Sequence, residues 1–282
     1  VIKAFEIEYI AINPGATFRG LHDSLVNYGG NHMPEIILCN HEEIAVAAAP
    51  GYARAKGKPM VSAVHNIVGL QHASMAIYNA WCDRLPVIVM GGTGPMDSAQ
   101  RRPWIDWVHT ALVQGNLVRD FVKWDDQPGS VEAVADSFIR SYRLATTDPM
   151  GPVYICYDSE VQEKKLDGEI PFPSLDRYPA PLPMQGFEKT MRWLVEAKAP
   201  VSIADWVGRR EAGFKALIEL AELLAIPVFD QFGRFNFPVN HPLNLTGMQD
   251  KVLGQTDLVL ALDVPDLEGG VTQRAQEKGR RR

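Results

Sequence analysis

A chain of 282 residues, 46% hydrophobic and 22% charged, has the make-up of a soluble globular protein and the length for two domains. Its formal charge of −6 argues against a nucleic-acid partner or an anionic membrane surface, and no apolar run approaches the ~18–20 residues of a membrane span. The three cysteines, Cys39, Cys82 and Cys156, sit in or beside apolar runs and read as buried thiols of a reducing, cytoplasmic setting, while the seven histidines form no HxxxH spacing and no CxxC occurs, so no protein-built metal site is expected.

The chain opens on Val1-Ile2-Lys3-Ala4-Phe5, which reads as the second half of an amphipathic helix and, with the polar ending Glu277-Lys278-Gly279-Arg280-Arg281-Arg282, as part of a longer polypeptide. Short β-rich runs then alternate with helical patterns: residues 9–12, 36–39, 60–65, 87–90 and 153–157, with a helix over 131–145. Such alternation predicts parallel strands with helical crossovers, an α/β fold whose sheet carries helices on both faces over residues 1–168. Proline density over 169–185 reads as a linker. Over 186–282 the alternation resumes, a second α/β domain that reads as incomplete.

In open parallel sheets ligands bind beyond the carboxyl ends of the strands, and the candidate residues fall there. Asn13-Pro14-Gly15 follows the first strand as a turn into a helix. After the second, Asn40 and Glu43 have the capping-box spacing, which accounts for Glu43 but not for Glu42. The following Ile44-Ala45-Val46-Ala47-Ala48-Ala49 has no polar face and predicts a helix buried nearly all round, in which Glu42 needs a partner; the plainer reading is a first-turn acid favoured by the helix dipole. Pro50, inside that helix, predicts a bend.

His65 ends the third strand, ahead of Gly69 and the helix that carries Asn79-Ala80-Trp81. Gly92-Thr93-Gly94 lacks the third glycine of a dinucleotide fingerprint and reads as a turn after the fourth strand, so a nicotinamide cofactor is not expected. Gln100-Arg101-Arg102-Pro103-Trp104-Ile105-Asp106-Trp107 joins cations and indoles suited to an anionic substrate or, better, to a subunit contact. In the second domain Asp205, Asp230 and Asp263 read as strand-end caps rather than ligands.

His41-Glu42, Pro50-Gly51-Tyr52-Ala53-Arg54-Ala55 and Gly57-Lys58-Pro59 together resemble the pyrimidine-binding domain of thiamine-diphosphate enzymes, with acetolactate synthases and benzoylformate decarboxylases the nearest by eye. The resemblance covers most of residues 8–158 and, more loosely, 186–265, where Asn236-Phe237-Pro238 and His241-Pro242-Leu243 resemble the central domain of the same enzymes. It implies that Glu42 bonds N1′ of the cofactor's aminopyrimidine, that Asn13 and Gly15 line the substrate side, and that Gly69 and Gly92 run beside the cofactor. The spacing from His65 to Gly69 and to Asn79-Ala80-Trp81 matches benzoylformate decarboxylases, where the equivalent histidine is an acid/base; acetolactate synthases carry a Gly-Pro-Gly turn instead.

Members of the family hold Mg²⁺ and the diphosphate through a Gly-Asp-Gly motif in a third domain, and no Gly-Asp-Gly occurs here. The expectation is therefore one half of an active site: a thiamine-diphosphate-dependent decarboxylase or carboligase of a small-molecule 2-oxo acid, its Mg²⁺ ligands elsewhere, assembled as a homodimer or homotetramer. The competing expectation is a non-catalytic α/β binding or regulatory subunit that needs neither Glu42 nor His65.

Overall fold

The computed structural model describes residues 1–168, 186–231 and 233–271, in two compact units, Val1–Ala180 and Pro181–Arg282. The proposed linker, 169–185, lies outside the described residues. No helix among the described residues is long and apolar enough to cross a membrane.

Alternating hydrophobic strands build the first unit. β1 (Tyr9–Ile12), β2 (Glu35–Leu38), β3 (Met60–Val64), β4 (Val87–Thr93), β5 (Asp125–Asp126) and β6 (Val153–Asp158) form one sheet in the order β2-β1-β3-β4-β6-β5, every pair parallel. Because side chains alternate across a pleated strand, a strand buried on both faces must be apolar at nearly every position. Thus Val87 and Val89 enter one core and Ile88 and Met90 the other. The first core is closed by α2 (Glu42–Lys56) and α3 (Asn66–Cys82), the second by α5 (Val131–Thr146) through Phe138, Tyr142 and Ala145. The first unit also carries the short α1 (Arg19–Asp23), α4 (Ile105–His109) and α6 (Ser159–Glu163). Each fully buried branched side chain contributes roughly 1.5–3 kcal/mol.

Helices α2 and α3 meet through small residues, Ala45 and Ala49 on one and Ala73, Ala76 and Ala80 on the other, which lets their backbones approach. Ser62, fully buried in β3, escapes the cost of an unpaired hydroxyl by donating to the Ala45 carbonyl at 2.9 Å, tying α2 to the sheet. At its far end α2 stops at Gly57, whose φ of 69° few other residues accept and whose N–H closes on Ala53 O.

Several expectations need correction. α2 is not buried all round: Glu42, Ala45, Val46, Ala49 and Ala53 face inward, while Ile44 is 52% exposed and Ala47 and Ala48 are open. Pro50 lies within α2, where it has no N–H to offer Val46 one turn earlier. The opening residues form a single 3₁₀ turn, Ile2–Phe5. Of the cysteines only Cys156 is buried, its thiol pushed up to about 12 by desolvation; Cys82 is exposed.

In the second unit α7 (Phe187–Glu196) and α8 (Glu211–Leu224) flank β7 (Pro200–Ala204), and the sheet runs β8 (Val228–Asp230), β7, β9 (Leu258–Leu262), all parallel. The strand-end acids are occupied by scaffold contacts. Asp205 accepts from Gly233 N–H, Asp230 from the N–H and side-chain amide of Asn236, and Asp263 pairs with Arg209.

Gly91 gives the packing a direct test. A Cβ there would fall 1.9 Å from the hydroxyl oxygen of the fully buried Tyr154, itself donating to Gln114 Oε1 at 3.1 Å. Neither group has free space, so Gly91→Ala is expected to destabilise the unit by about 1–3 kcal/mol, as overpacking does. Urea denaturation checks this, and an unchanged midpoint would refute the packing described.

Candidate functional site at the sheet switch point

From β1 the chain passes to β2 on one side of it, and β3 lies on the other, so the loops leaving β1 and β3 diverge and open a crevice at the carboxyl ends of the strands. Three loops reach that crevice. Asn13 and Gly15 follow β1, His41 and Glu42 follow β2, and His65, Asn66 and Gly69 follow β3.

Glu42 occupies the first helical position of α2 and is only 7% exposed. A Cβ on Gly69 would lie 2.8 Å from Glu42 Oε1 and 2.9 Å from its Cγ, so any larger residue on α3 would displace the carboxylate. Its other oxygen, Oε2, lies 3.5 Å from His72 Nδ1, long for a charge-assisted hydrogen bond. The carboxylate is thus fixed in place with hydrogen-bonding capacity left over.

The expected capping box does not form. His41, extended at φ −156°, is the N-cap, and its Nδ1 accepts from Glu43 N–H at 3.2 Å. With the cap one residue later than Asn40, Glu43 falls at the second helical position, too early to return the bond, and its side chain is exposed.

His65 is held from two sides. The Cβ of any residue replacing Gly15 would sit 2.1 Å from His65 Cγ, and Thr17 Oγ1 shares a hydrogen bond with His65 Nδ1 at 3.0 Å. Thr17 is in turn seated against Gly92, where a Cβ would lie 2.6 Å from its Oγ1. Gly92 lies inside β4, not in a turn after it, because β4 runs on to Thr93; glycine in a strand here serves close approach. The Gly92 carbonyl accepts from Gln114 Nε2 at 3.1 Å.

Burial holds the His65 imidazole below its usual range, the nearby His109 adds to this, and the charge of Glu42 acts the other way. The His109 ring, on α4, lies 5.8 Å from His65 and donates from Nδ1 to Ile105 O at 2.8 Å. Asn66, fully buried, takes the left-handed φ of 64° and accepts Ile67 N–H on Oδ1, while its Nδ2 has no partner among the described residues. Strain and an unpaired amide are costs a scaffold avoids and ligand sites carry. Beside the loosely engaged Glu42 carboxylate, they fit a site for a bound polar group.

The structure therefore gathers Glu42 with Gly69, and His65 with Gly15 and Gly92. Asn13 lies at the mouth, where its backbone N–H bonds Ala63 O at 3.3 Å and holds the end of β1 to β3. Thr17, His72 and His109 escaped sequence reasoning because their partners lie 48, 30 and 44 residues away by number; Asn66, beside His65, carried a signal only through its backbone. Arg102 is not available to an anionic substrate: it forks onto both oxygens of Asp106, 2% exposed, whose carboxyl it holds below the usual range. Trp104 and Trp107 remain exposed, Trp104 at 73%.

Comparison with known proteins gives a consistent result. Residues 1–117 match the family model of the thiamine pyrophosphate enzyme N-terminal TPP binding domain. The chain is 30% identical over 268 residues to the Probable acetolactate synthase large subunit of Methanocaldococcus jannaschii, covering 87% of this chain and 42% of that one. It is 26% identical to benzoylformate decarboxylase of Pseudomonas aeruginosa, over 88% of this chain and 50% of the other. A crystal structure of benzoylformate decarboxylase from Polynucleobacter necessarius superposes with a TM-score of 0.78 at 25% identity, over 94% of this chain and 49% of that one. The chain thus spans about two-fifths to one-half of the relatives it matches. The crevice built around Glu42 and Gly69 lies within residues 1–117, the stretch that matches the N-terminal TPP binding domain of the thiamine pyrophosphate enzymes.

Proposed function

We propose that this chain supplies the pyrimidine-side half of an active site that uses thiamine diphosphate to decarboxylate or ligate a 2-oxo acid. The observation that carries the reading is Glu42: a carboxylate nearly removed from water, packed on Gly69 at the switch point of the sheet, with one oxygen only loosely engaged.

The cofactor supplies stabilisation of a carbanion when bound. Glu42 holds a proton shared with N1′ of the aminopyrimidine, and Gly69 keeps the carboxylate's place free. Low exposure strengthens such a bond because water does not compete for it. His65, kept neutral near pH 7 by burial and by His109, moves a proton on the substrate, oriented by Thr17 and by Gly15 behind its ring. Asn13, Gly15 and Gly92 line the crevice. The diphosphate and Mg²⁺ are assigned to residues beyond these 282, in keeping with the absence of Gly-Asp-Gly from the sequence. A second subunit would supply them, in a homodimer or homotetramer, with the exposed Trp104 and Trp107 as contact residues. Titration calorimetry of the assembled enzyme with thiamine diphosphate and Mg²⁺ tests the reading, and absence of binding defeats it.

In that enzyme Glu42→Gln is expected to slow hydrogen–deuterium exchange at the cofactor's thiazolium C2 by about 10²-fold or more, as loss of a general acid or base does. Glu43→Gln, altering an exposed side chain one position on, should leave exchange near wild type. Equal losses in the two would remove Glu42 from its role.

His65→Ala should lower turnover of a 2-oxo acid by about 10²–10⁴-fold with cofactor affinity little changed. Unchanged turnover would reduce His65 to a structural residue.

The titration of His65 is checked separately by imidazole proton NMR. Its midpoint should lie below the ordinary value of about 6.5. His109→Gln should move it upward, since a neighbouring cation opposes protonation and its removal relieves that. A midpoint at or above the ordinary value contradicts the burial described.

A further inference from the structure

The carboxylate of Glu42 faces two imidazoles that the proposed reaction does not use. His41, the N-cap of α2, and His72, one turn beyond Gly69 on α3, stack with ring centroids 4.9 Å apart and planes 15° from parallel. One ligand atom from each of His41, Glu42 and His72 lies within 4.8 Å of the others. The stacked rings run nearly parallel, so a common ion requires one imidazole to turn about its Cβ–Cγ bond, and the half-exposed His72, with Nδ1 already 3.5 Å from Glu42 Oε2, is the ring placed to do so. The two helices that carry the ligands are pinned to each other by their alanine contact and to the sheet by Ser62, so the triad is held by scaffold.

We propose that His41, Glu42 and His72 form a binding site for a zinc-class divalent cation, completed by water. Two nitrogens and one carboxylate oxygen are a donor set that such ions favour, with a fourth position left for solvent. The same set disfavours Mg²⁺, which takes oxygen ligands and keeps most of its water. The site is therefore distinct from the magnesium that accompanies a diphosphate. The positive end of the α2 dipole opposes a cation here, and Glu42 and Glu43, both in the first turn, offset it. His41 exchanges its 3.2 Å cap bond for the metal if it ligates through Nδ1; if through Nε2, its proton moves to Nδ1 and the cap bond is equally given up. Sequence spacing does not announce the site because His41 and His72 come from different helices, with no HxxxH between them.

One consequence rests on the role given to Glu42 above. A carboxylate that ligates a cation is withdrawn from the pyrimidine, so an ion at this site would antagonise the cofactor.

The test is calorimetric titration of the purified chain with ZnCl₂ near neutral pH, without thiamine diphosphate, repeated with His41→Ala, His72→Ala and, as a control for scattered surface imidazoles, His32→Ala. One ion per chain is expected, with affinity lowered at least about tenfold by either His41→Ala or His72→Ala and unchanged in His32→Ala. Excess Mg²⁺ should not displace it. Co²⁺ absorption reports the ligands directly, and the visible bands of wild type should be lost in His72→Ala. Circular dichroism confirms that each variant is folded; should His41→Ala fail to fold through loss of its cap, His72→Ala, which alters a half-exposed side chain, decides alone. No binding by wild type, or equal binding by wild type and His72→Ala, overturns the site. Neither arm depends on turnover: zinc bound as described with exchange unaffected by Glu42→Gln would defeat the cofactor role and leave the metal site standing.

Discussion

The first unit depends on how closely α2 and α3 can approach. Alanines along their contact bring the two backbones together, and at the end of that contact Gly69 is the residue that leaves room for the Glu42 side chain. A carboxylate is costly to take out of water, and it stays there only where the surrounding packing leaves it no other place. Here the packing is redundant: Ser62 fixes α2 to β3, Gly57 ends α2, and His41 caps its start. Glu42 is therefore positioned by the whole helix pair. This explains why a residue one step on, Glu43, of identical chemistry, reaches none of the same surroundings.

The other half of the crevice follows a different logic. His65 is the first residue past β3 and the N-cap of α3, and its position is set by glycines that permit approach: Gly15 behind the ring and Gly92 beneath Thr17. Both contacts couple loops to strands at the switch point, where the order β2-β1-β3 separates the connections. A group bound between Glu42 and His65 would touch residues from three successive crossovers, which is how an open parallel sheet gathers chemistry from distant parts of a chain.

Much of this fold was legible in the residues because the strands are buried on both faces and flanked by turn chemistry. β1 begins and ends where the β-rich run does, and α5 starts at its expected place. Less legible was anything set by a contact across the chain. β4 runs three residues past its expected end because pairing with β6 carries it to Thr93, which moved Gly92 from a turn into a strand. β5, two residues long and holding two acids, has no apolar pattern to reveal it. The cap of α2 moved from Asn40 to His41 because an imidazole nitrogen can accept the N–H that an amide would have taken. For α2 itself, an unbroken apolar run concealed which face is inward; the alternation of buried and open alanines is decided by α3, which no local window contains. Glu42 and His65 stood out as chemistry, but only their neighbours His72, Thr17 and His109 make them a site, and those arrive through tertiary contact.

Comparing the two units shows what separates scaffold from site in one molecule. Both are parallel α/β arrangements, and both place polar residues at the carboxyl ends of their strands. In the second unit those residues are engaged: Asp230 accepts two backbone N–H bonds and an amide within 3.3 Å, and Asp205 takes Gly233 N–H at 2.8 Å. A carboxylate committed to several short bonds holds loops together and has little left to offer a ligand. In the first unit, among the described residues, Glu42 has only the His72 approach at 3.5 Å, and Asn66 keeps an unpaired buried amide in a strained backbone. Folding tolerates such deficits only where the rest of the unit is stable enough to carry them, and here two apolar cores, one on each face of a six-stranded sheet, provide that margin. Position at a strand end therefore marks where a site can be, and unspent hydrogen-bonding capacity singles out the candidate among such positions.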